Sequence, residues 1–117
     1  MKERDSLSVQ SMDFAVEILT LVKQLQEQHE YIISRQIGKS GTSIGANIHE
    51  ANYAASKADF INKFHIALKE CGETEYWIEM LVGSNSISEQ IAKELLQECG
   101  IIRRMLVKSI TTAKENA

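Results

Sequence analysis

Apolar side chains recur every three or four residues in four stretches of this chain, which is the spacing of one face of an α-helix. The polar run QEQHE after the first stretch predicts a turn, and the polar residues 1–8 before it predict a loose leader. The apolar positions of the four stretches are, in order, Phe14, Ile18, Leu21, Val22 and Leu25; Ile33, Ile37, Ile44 and Ile48; Phe60, Phe64, Leu68, Cys71, Ile78 and Leu81; and Ile91, Leu95, Cys99, Ile102, Leu106 and Ile110.

Serine caps mark where two of these helices begin. Ser56 opens the third in the run SKAD, with Asp59 three residues later, which is a capping-box arrangement. Ser86 and Glu89 repeat it in SISE before the fourth. Helices joined by short connections predict an all-α fold, an up-down-up-down antiparallel four-helix bundle that forms one domain over residues 1–117.

Composition fits this fold and restricts the function. The chain has no proline, the residue that helix interiors exclude most strongly. Its net charge is −3, whereas non-specific nucleic-acid binders are usually basic overall, although a local basic face stays open. No apolar run is long enough to cross a bilayer, and no signal peptide is visible, so we expect a cytoplasmic protein with no membrane partner. Cys71 and Cys99 lack a CxxC spacing, which predicts two buried free thiols rather than a disulfide.

Three glycines interrupt the second helical stretch. Gly38, Gly41 and Gly45 stand at spacings of three and four, so they share one helix face. Each costs about 1 kcal/mol against alanine in a helix interior, and a stripe without side chains predicts the close approach of another helix. The alternative is a phosphate-binding loop, because GKS follows at residues 38–40. It is rejected because Ile33 stands where that motif requires a glycine.

No enzyme is predicted from the titratable residues. The run HEANY begins like a helical zinc motif at His49, but Tyr53 replaces the second histidine. His29, His49 and His65 also lack a glutamate three residues earlier, which di-iron bundles require. No serine, threonine or cysteine is placed beside a histidine as a nucleophile would be. We therefore expect no catalytic residue, no metal and no cofactor.

The charged positions leave alternatives open. Asn47 and Glu50 lie one turn apart and could form a buried polar pair or face solvent. If nucleic acid is bound, the candidate contacts flank the junction of the second and third helices, with a second group late in the fourth; otherwise each set is a solvated face. The first group is Arg35, Lys39, Lys57 and Lys63, and the second is Arg103, Arg104 and Lys108.

Apolar side chains also lie away from the main faces. Tyr76, Trp77 and Met80 fall outside the core stripe of the third helix, and these residue types are enriched at interface cores. An isolated bundle would expose some of them, which predicts a closed homo-oligomer with this group as its anchor.

The runs SGTSIGANIHEA and SKADFINKFHIALKECGETEYWIEML carry a family resemblance. Together they resemble the bacterial four-helix-bundle family first noted as reading frames inside intervening sequences of 23S ribosomal RNA. The resemblance covers roughly residues 8–114. It implies a four-helix protomer, a ring-shaped homopentamer and no established catalytic activity.

The same family includes the accessory proteins of diversity-generating retroelements, which partner a reverse transcriptase and bind nucleic acid through a basic surface. This chain differs from that branch in its net negative charge and in carrying Gly38 and Lys39 near positions where many members have arginine. The expected function is a non-enzymatic, self-assembling adaptor for RNA, DNA or a nucleic-acid-handling protein. The alternative is a purely structural or protein-binding module with no affinity for nucleic acid.

Overall fold

Four long helices make up the structure, a computed structural model that describes residues 3–116. They are α1 (Glu3–Glu27), α2 (Tyr31–Ala51), α3 (Lys57–Gly83) and α4 (Glu89–Glu115). Helices adjacent in sequence pack together and α4 packs back on α1, whereas no Cα atoms of the diagonal pairs α1–α3 and α2–α4 lie within 8 Å of each other in this part of the chain. The bundle measures 49 by 23 by 22 Å. The predicted all-α, up-down-up-down antiparallel bundle is confirmed.

One apolar core runs along the bundle, with a stripe from each helix. Each fully buried leucine or isoleucine contributes roughly 1.5–3 kcal/mol relative to an exposed one. Ile91 departs from its expected place, because its side chain is 40% exposed beside α1. The largest fully buried apolar side chains are Leu7, Phe14, Ile18, Leu25, Ile37, Ile44, Ile78, Leu81, Ile102 and Leu106.

The N-terminal end of α1 differs from the loose leader that the sequence predicted. The helix already runs from Glu3, and the side chain of Leu7 is fully buried. Leu7 continues the seven-residue spacing of Phe14 and Leu21, so burying it extends the helix toward the N-terminus. The loose leader expected over residues 1–8 is therefore wrong from residue 3 onward, and the first two residues lie outside the described part.

The end of α3 is a Schellman motif. The helix ends at Gly83, and Asn85 takes the left-handed conformation, with φ at 61°. The backbone N–H of Ser86 then donates to the carbonyl oxygen of Leu81 at 2.8 Å. Ser86 is therefore part of the C-terminal cap of α3.

The Schellman motif at the end of α3 determines where α4 begins. Its N-cap is Ser88, whose hydroxyl accepts from the backbone N–H of Ile91 at 3.1 Å. The prediction that Ser86 opens this helix is wrong by two residues. At α3, the hydroxyl of Ser56 accepts from the backbone N–H of Asp59 at 3.1 Å, which confirms the predicted cap.

The three glycines of α2 face α1. A Cβ atom added to Gly41 would lie 2.9 Å from two carbons of Ile18, closer than real Cβ contacts come. Carbons added to Gly38 and Gly45 would lie 3.2 and 3.3 Å from other α1 side chains. Because these three positions carry no side chain, α1 and α2 can pack closely along this face.

A buried polar contact joins α2 to α3. Thr74 Oγ1 lies 2.8 Å from Ser40 Oγ and 2.8 Å from the carbonyl oxygen of Glu70. Ser40 and Thr74 are both fully buried, and each hydroxyl provides the other with a hydrogen-bond partner in the core. The contact favours one register of the two helices.

We predict opposite effects for two alanine substitutions at helical glycines. Gly41→Ala should lower the free energy of unfolding by roughly 1–3 kcal/mol, because overpacking against Ile18 outweighs the gain in helix propensity. The matched control is Gly72→Ala in α3, where an added Cβ meets nothing within 4 Å. That change should raise the free energy of unfolding by about 1 kcal/mol. Urea unfolding measures both, and equal shifts for the two variants would contradict the close contact.

Candidate self-association and nucleic-acid surfaces

The outer face of α1 is apolar, directly opposite its core face. Val9, Met12, Val16 and Leu19 are between 48% and 64% exposed and follow a three-four-three spacing; together they are called the α1 stripe. Contiguous exposed apolar patches usually mark interaction sites. The α1 stripe was not among the predicted interface residues, although a second helical period, offset half a turn from the core, is the signal that could have found it.

A groove between α1 and α2 adjoins this stripe. It has a volume of about 410 Å³, and its walls include Met12, Ala15, Gly45 and Ala46. The lack of a side chain at Gly45 deepens it. Met12 belongs to both groove and stripe, so the two form one continuous apolar surface.

The predicted interface anchor lies on α3. Tyr76 is 59% exposed and Met80 37%, whereas Trp77 is half-buried against the core. The rings of Tyr76 and Trp77 meet edge to face at 5.1 Å, and Trp77 Nε1 donates to Glu73 Oε2 at 3.1 Å. These three residues form the Tyr76 patch. Since α1 and α3 are diagonal helices, the patch and the α1 stripe face opposite sides of the bundle.

The four basic residues first predicted to contact nucleic acid do not form one cluster. Lys63 Nζ lies 2.9 Å from Glu50 Oε1 near the C-terminal end of α2, and Lys57 is exposed at the start of α3. Arg35 and Lys39 lie earlier on α2. The eleven residues from Lys39 to Glu50 span about 16 Å of helix. The two pairs are therefore separated along the α2–α3 hairpin.

Glu50 forms an ion pair with Lys63 of α3. Its hydrogen bond with Lys63 and its negative charge raise the pKa of that lysine. Asn47 does not reach Glu50, because its amide donates to the carbonyl oxygen of Ser43 at 2.9 Å. Of the two arrangements left open for Asn47 and Glu50, the buried polar pair is excluded.

Two of the three residues in the second basic group, Arg103 and Arg104, come together, whereas Lys108 is exposed farther along α4. Arg103 and Arg104 extend over Gly100, where an added Cβ would lie 3.4–3.5 Å from their guanidinium nitrogens. Arg103 Nε also donates to Glu75 Oε2 at 3.2 Å. Both arginines border a cleft of about 770 Å³, called the basic cleft. Its other walls are Val82, Glu89, Ala92, Lys93, Leu96, Gln97 and Ile101.

Comparison with known proteins identifies the family. Residues 6–108 match the family model described as the 23S rRNA-intervening sequence protein. The chain belongs to this family. It is also similar to a crystal structure from Bacteroides thetaiotaomicron, a protein with unknown function from the S23 ribosomal protein family. That structure shares 44% sequence identity and a TM-score of 0.92, over 94% of this chain and 99% of that one. No curated protein matches the chain.

Neither the family description nor this relative names a catalytic activity. Within residues 6–116 of this chain, no three His, Cys, Asp or Glu side chains are grouped so that they could hold a metal ion. The histidines are exposed and far apart in sequence; His29 Nδ1, for example, lies 2.8 Å from the hydroxyl of Tyr31. No helix in the same range is both long and apolar enough to cross a membrane.

The two cysteines meet in the core of this family member. Both thiols are free and fully buried, as predicted. Cys99 Sγ lies 3.6 Å from the carbonyl oxygen of Cys71. A hydrogen bond with the Cys71 thiol, followed by burial, raises the pKa of the Cys99 thiol far above its usual range. A thiol held protonated in this way is a poor nucleophile.

We predict that both thiols are protected in the native protein. At pH 8 they should react with a disulfide reagent on the order of 100-fold more slowly than in guanidinium chloride, because reaction requires the helices to open. Release of the coloured thiolate measures the rate. Equal rates in the native and the unfolded protein would contradict the burial of the pair.

Proposed function

We propose that this protein is a non-enzymatic cytoplasmic adaptor that assembles head to tail with copies of itself and presents its basic cleft to RNA or an RNA-handling partner. The observation that carries the proposal is the pair of exposed apolar surfaces, the α1 stripe and the Tyr76 patch, on opposite sides of the bundle. An adaptor with no catalytic group must act through its surfaces, and exposed apolar surfaces are those most often used for association.

The positions of the two surfaces favour a heterologous contact. An isologous dimer would cover one of them and leave the other exposed, because its two-fold axis joins the same patch on both copies. A head-to-tail contact covers both. It produces a ring when the rotation between neighbours closes and a filament when it does not.

The shapes of the two surfaces favour the same contact. Tyr76 projects from α3, and aromatic side chains that fill a pocket are the usual anchors of protein interfaces. The groove beside Met12 and Gly45 offers such a pocket at the edge of the α1 stripe. We infer that Tyr76 of one copy fits into the α1–α2 groove of the next. The family resemblance favours a closed ring of five.

The basic cleft is the surface best suited to phosphate groups. Arg103, Arg104 and Lys93 lie around one opening, whereas Arg35, Lys39, Lys57 and Lys63 are spread along the α2–α3 hairpin. Nearby guanidinium groups bind phosphate oxygens bidentately. Repeating the cleft around a ring would multiply weak contacts into useful affinity.

A second candidate function is a protein-binding module without affinity for nucleic acid. The net charge of −3 favours it, since long-range repulsion opposes the approach of a polyanion. Binding measured at low salt separates the two functions.

For assembly, we predict that a charge in either apolar surface dissociates the oligomer. Val16→Glu and Tyr76→Glu each place a carboxylate where the contact would bury it, which should weaken association by roughly 2 kcal/mol or more. Both side chains are more than half exposed in the protomer, so both variants should fold. Sedimentation velocity measures the change.

The control for both variants is Ile32→Glu, since Ile32 is 76% exposed on α2, outside either surface. It should assemble like the parent protein. If all three variants sediment like the parent, the proposed interface is wrong.

For nucleic acid, we predict that Lys93→Gln with Arg104→Gln weakens binding to RNA of any sequence. Each lost phosphate contact should reduce the slope of log K against log salt by roughly one. Mobility shifts at several salt concentrations measure that slope. The matched control is Lys39→Gln with Lys57→Gln, which removes the same charge outside the cleft and should leave the slope unchanged.

No RNA binding by the parent protein at low salt would remove the nucleic-acid function and favour the protein-binding module. A slope that changes only in the control would move the contact to the α2–α3 hairpin, where it was first predicted.

A further inference from the structure

Four acidic residues meet where α1 packs on α4. Asp13 and Glu17 come from α1, and Glu94 and Glu98 from α4. Of the four pairs of packed helices, this pair makes the least contact, and a shallow cavity of about 210 Å³ lies along it between Val16 and Leu95. This line of contact is called the α1–α4 seam. The most weakly packed side of the bundle thus carries a concentration of like charges.

The carboxyl group of Glu98 is the unusual member. Its Oε2 atom is buried, and no hydrogen-bond donor in the described part of the chain reaches it. A buried acceptor without a donor is costly, more so when it carries charge. The side chain that meets it is Glu17, another carboxyl group, and two ionised carboxylates cannot hydrogen-bond to each other. A proton on either group makes the contact favourable.

Among the side chains that the structure describes, none supplies Glu98 with a compensating positive charge. Glu17 and Asp13 of α1 and Glu94 of α4 are the charges that act on Glu98, and all are negative. On the other side of α4, Glu75 of α3 faces Arg103, and the two pair with each other. The remaining helix, α2, lies diagonally across the bundle from α4.

We propose that Glu17 and Glu98 share one proton and that losing it loosens α1 from α4, so the seam is a pH-sensitive device built into the bundle. With the proton in place, a hydrogen bond joins the two helices. Without it, the carboxylates repel one another across a seam that has little packing to resist them.

The direction of the pH effect follows from the titration of Glu98. Desolvation, then the hydrogen bond with Glu17 and the nearby acidic charges, raise the pKa of Glu98 to about 7. A carboxyl group whose pKa is raised by folding stabilises the fold fully below its unfolded pKa, about 4.3. That contribution is lost as the pH rises to 7 and stays lost above it. Most paired carboxylates, whose pKa values fall on folding, have the opposite effect.

Thermal unfolding of the full chain between pH 5 and pH 9 tests the device, at one protein concentration. Glu98→Gln supplies a neutral group that can donate to Glu17 at every pH. This variant should melt higher than the parent protein at pH 8, and the difference should shrink steadily toward pH 5. Glu17→Gln should behave in the same way, because its amide can donate to Glu98. The control is Glu27→Gln, at an exposed position at the end of α1. Its melting temperature should match that of the parent protein at every pH.

Hydrogen exchange locates the effect. Protection factors of the α1 amides should fall in the parent between pH 6 and pH 8 and stay constant in Glu98→Gln, while those of the α2–α3 contact do not change in either protein. Two results would overturn the proposal: a difference in melting temperature between parent and Glu98→Gln that does not depend on pH, or α1 protection that changes equally in both proteins.

Discussion

The contact between Ile18 of α1 and Gly41 of α2 sets how the rest of the bundle is arranged. With no side chain at Gly41, the two helices lie so close that even a methyl group would meet Ile18 at 2.9 Å. An interface this close tolerates little rotation of α1, since any rotation moves the large Ile18 side chain against backbone. The core, outer and α4-facing sides of α1 therefore take fixed directions. The α1 stripe consequently faces solvent, and Glu17 faces Glu98.

Packing α1 tightly on one side leaves its other sides available for surface functions. The helix gains most of its tertiary contact from α2 and little from α4. Its outer side keeps apolar residues that an isolated bundle has no reason to expose. On the opposite side of the molecule, Tyr76 and Met80 are likewise exposed. Two such surfaces on diagonal helices are what repeated head-to-tail association requires.

The helices could be predicted from periodicity because each buries one stripe spaced at three and four residues. The N-cap residue of α4 could not be predicted in this way. Ser86 and Ser88 both carry cap-forming hydroxyls, and the choice depends on the Schellman closure around Asn85, a property of the preceding helix. The burial of Leu7 was missed because the residues around it are mostly polar and predicted a leader, although its seven-residue spacing from Phe14 continues the core pattern.

Surfaces were harder to predict than the core. Lys39 and Lys63 lie on either side of the α2–α3 junction in the sequence, but Lys63 pairs with Glu50, which lies about 16 Å along α2 from Lys39. Arg103 and Arg104, adjacent in sequence, extend over the same glycine and stay together. The Glu17–Glu98 contact joins the first and last helices, and no local pattern relates residues so distant in the chain.

The central claim is that association occurs between two different surfaces of the protomer. Mixing two assembly-deficient proteins, Val16→Glu and Tyr76→Glu, tests it most directly. The first keeps an intact Tyr76 patch and the second an intact α1 stripe, so one productive contact remains between unlike copies. Light scattering should then show a one-to-one heterodimer of twice the 13.2 kDa protomer mass that grows no further. A mixture that stays monomeric at concentrations where the parent protein assembles would contradict head-to-tail association.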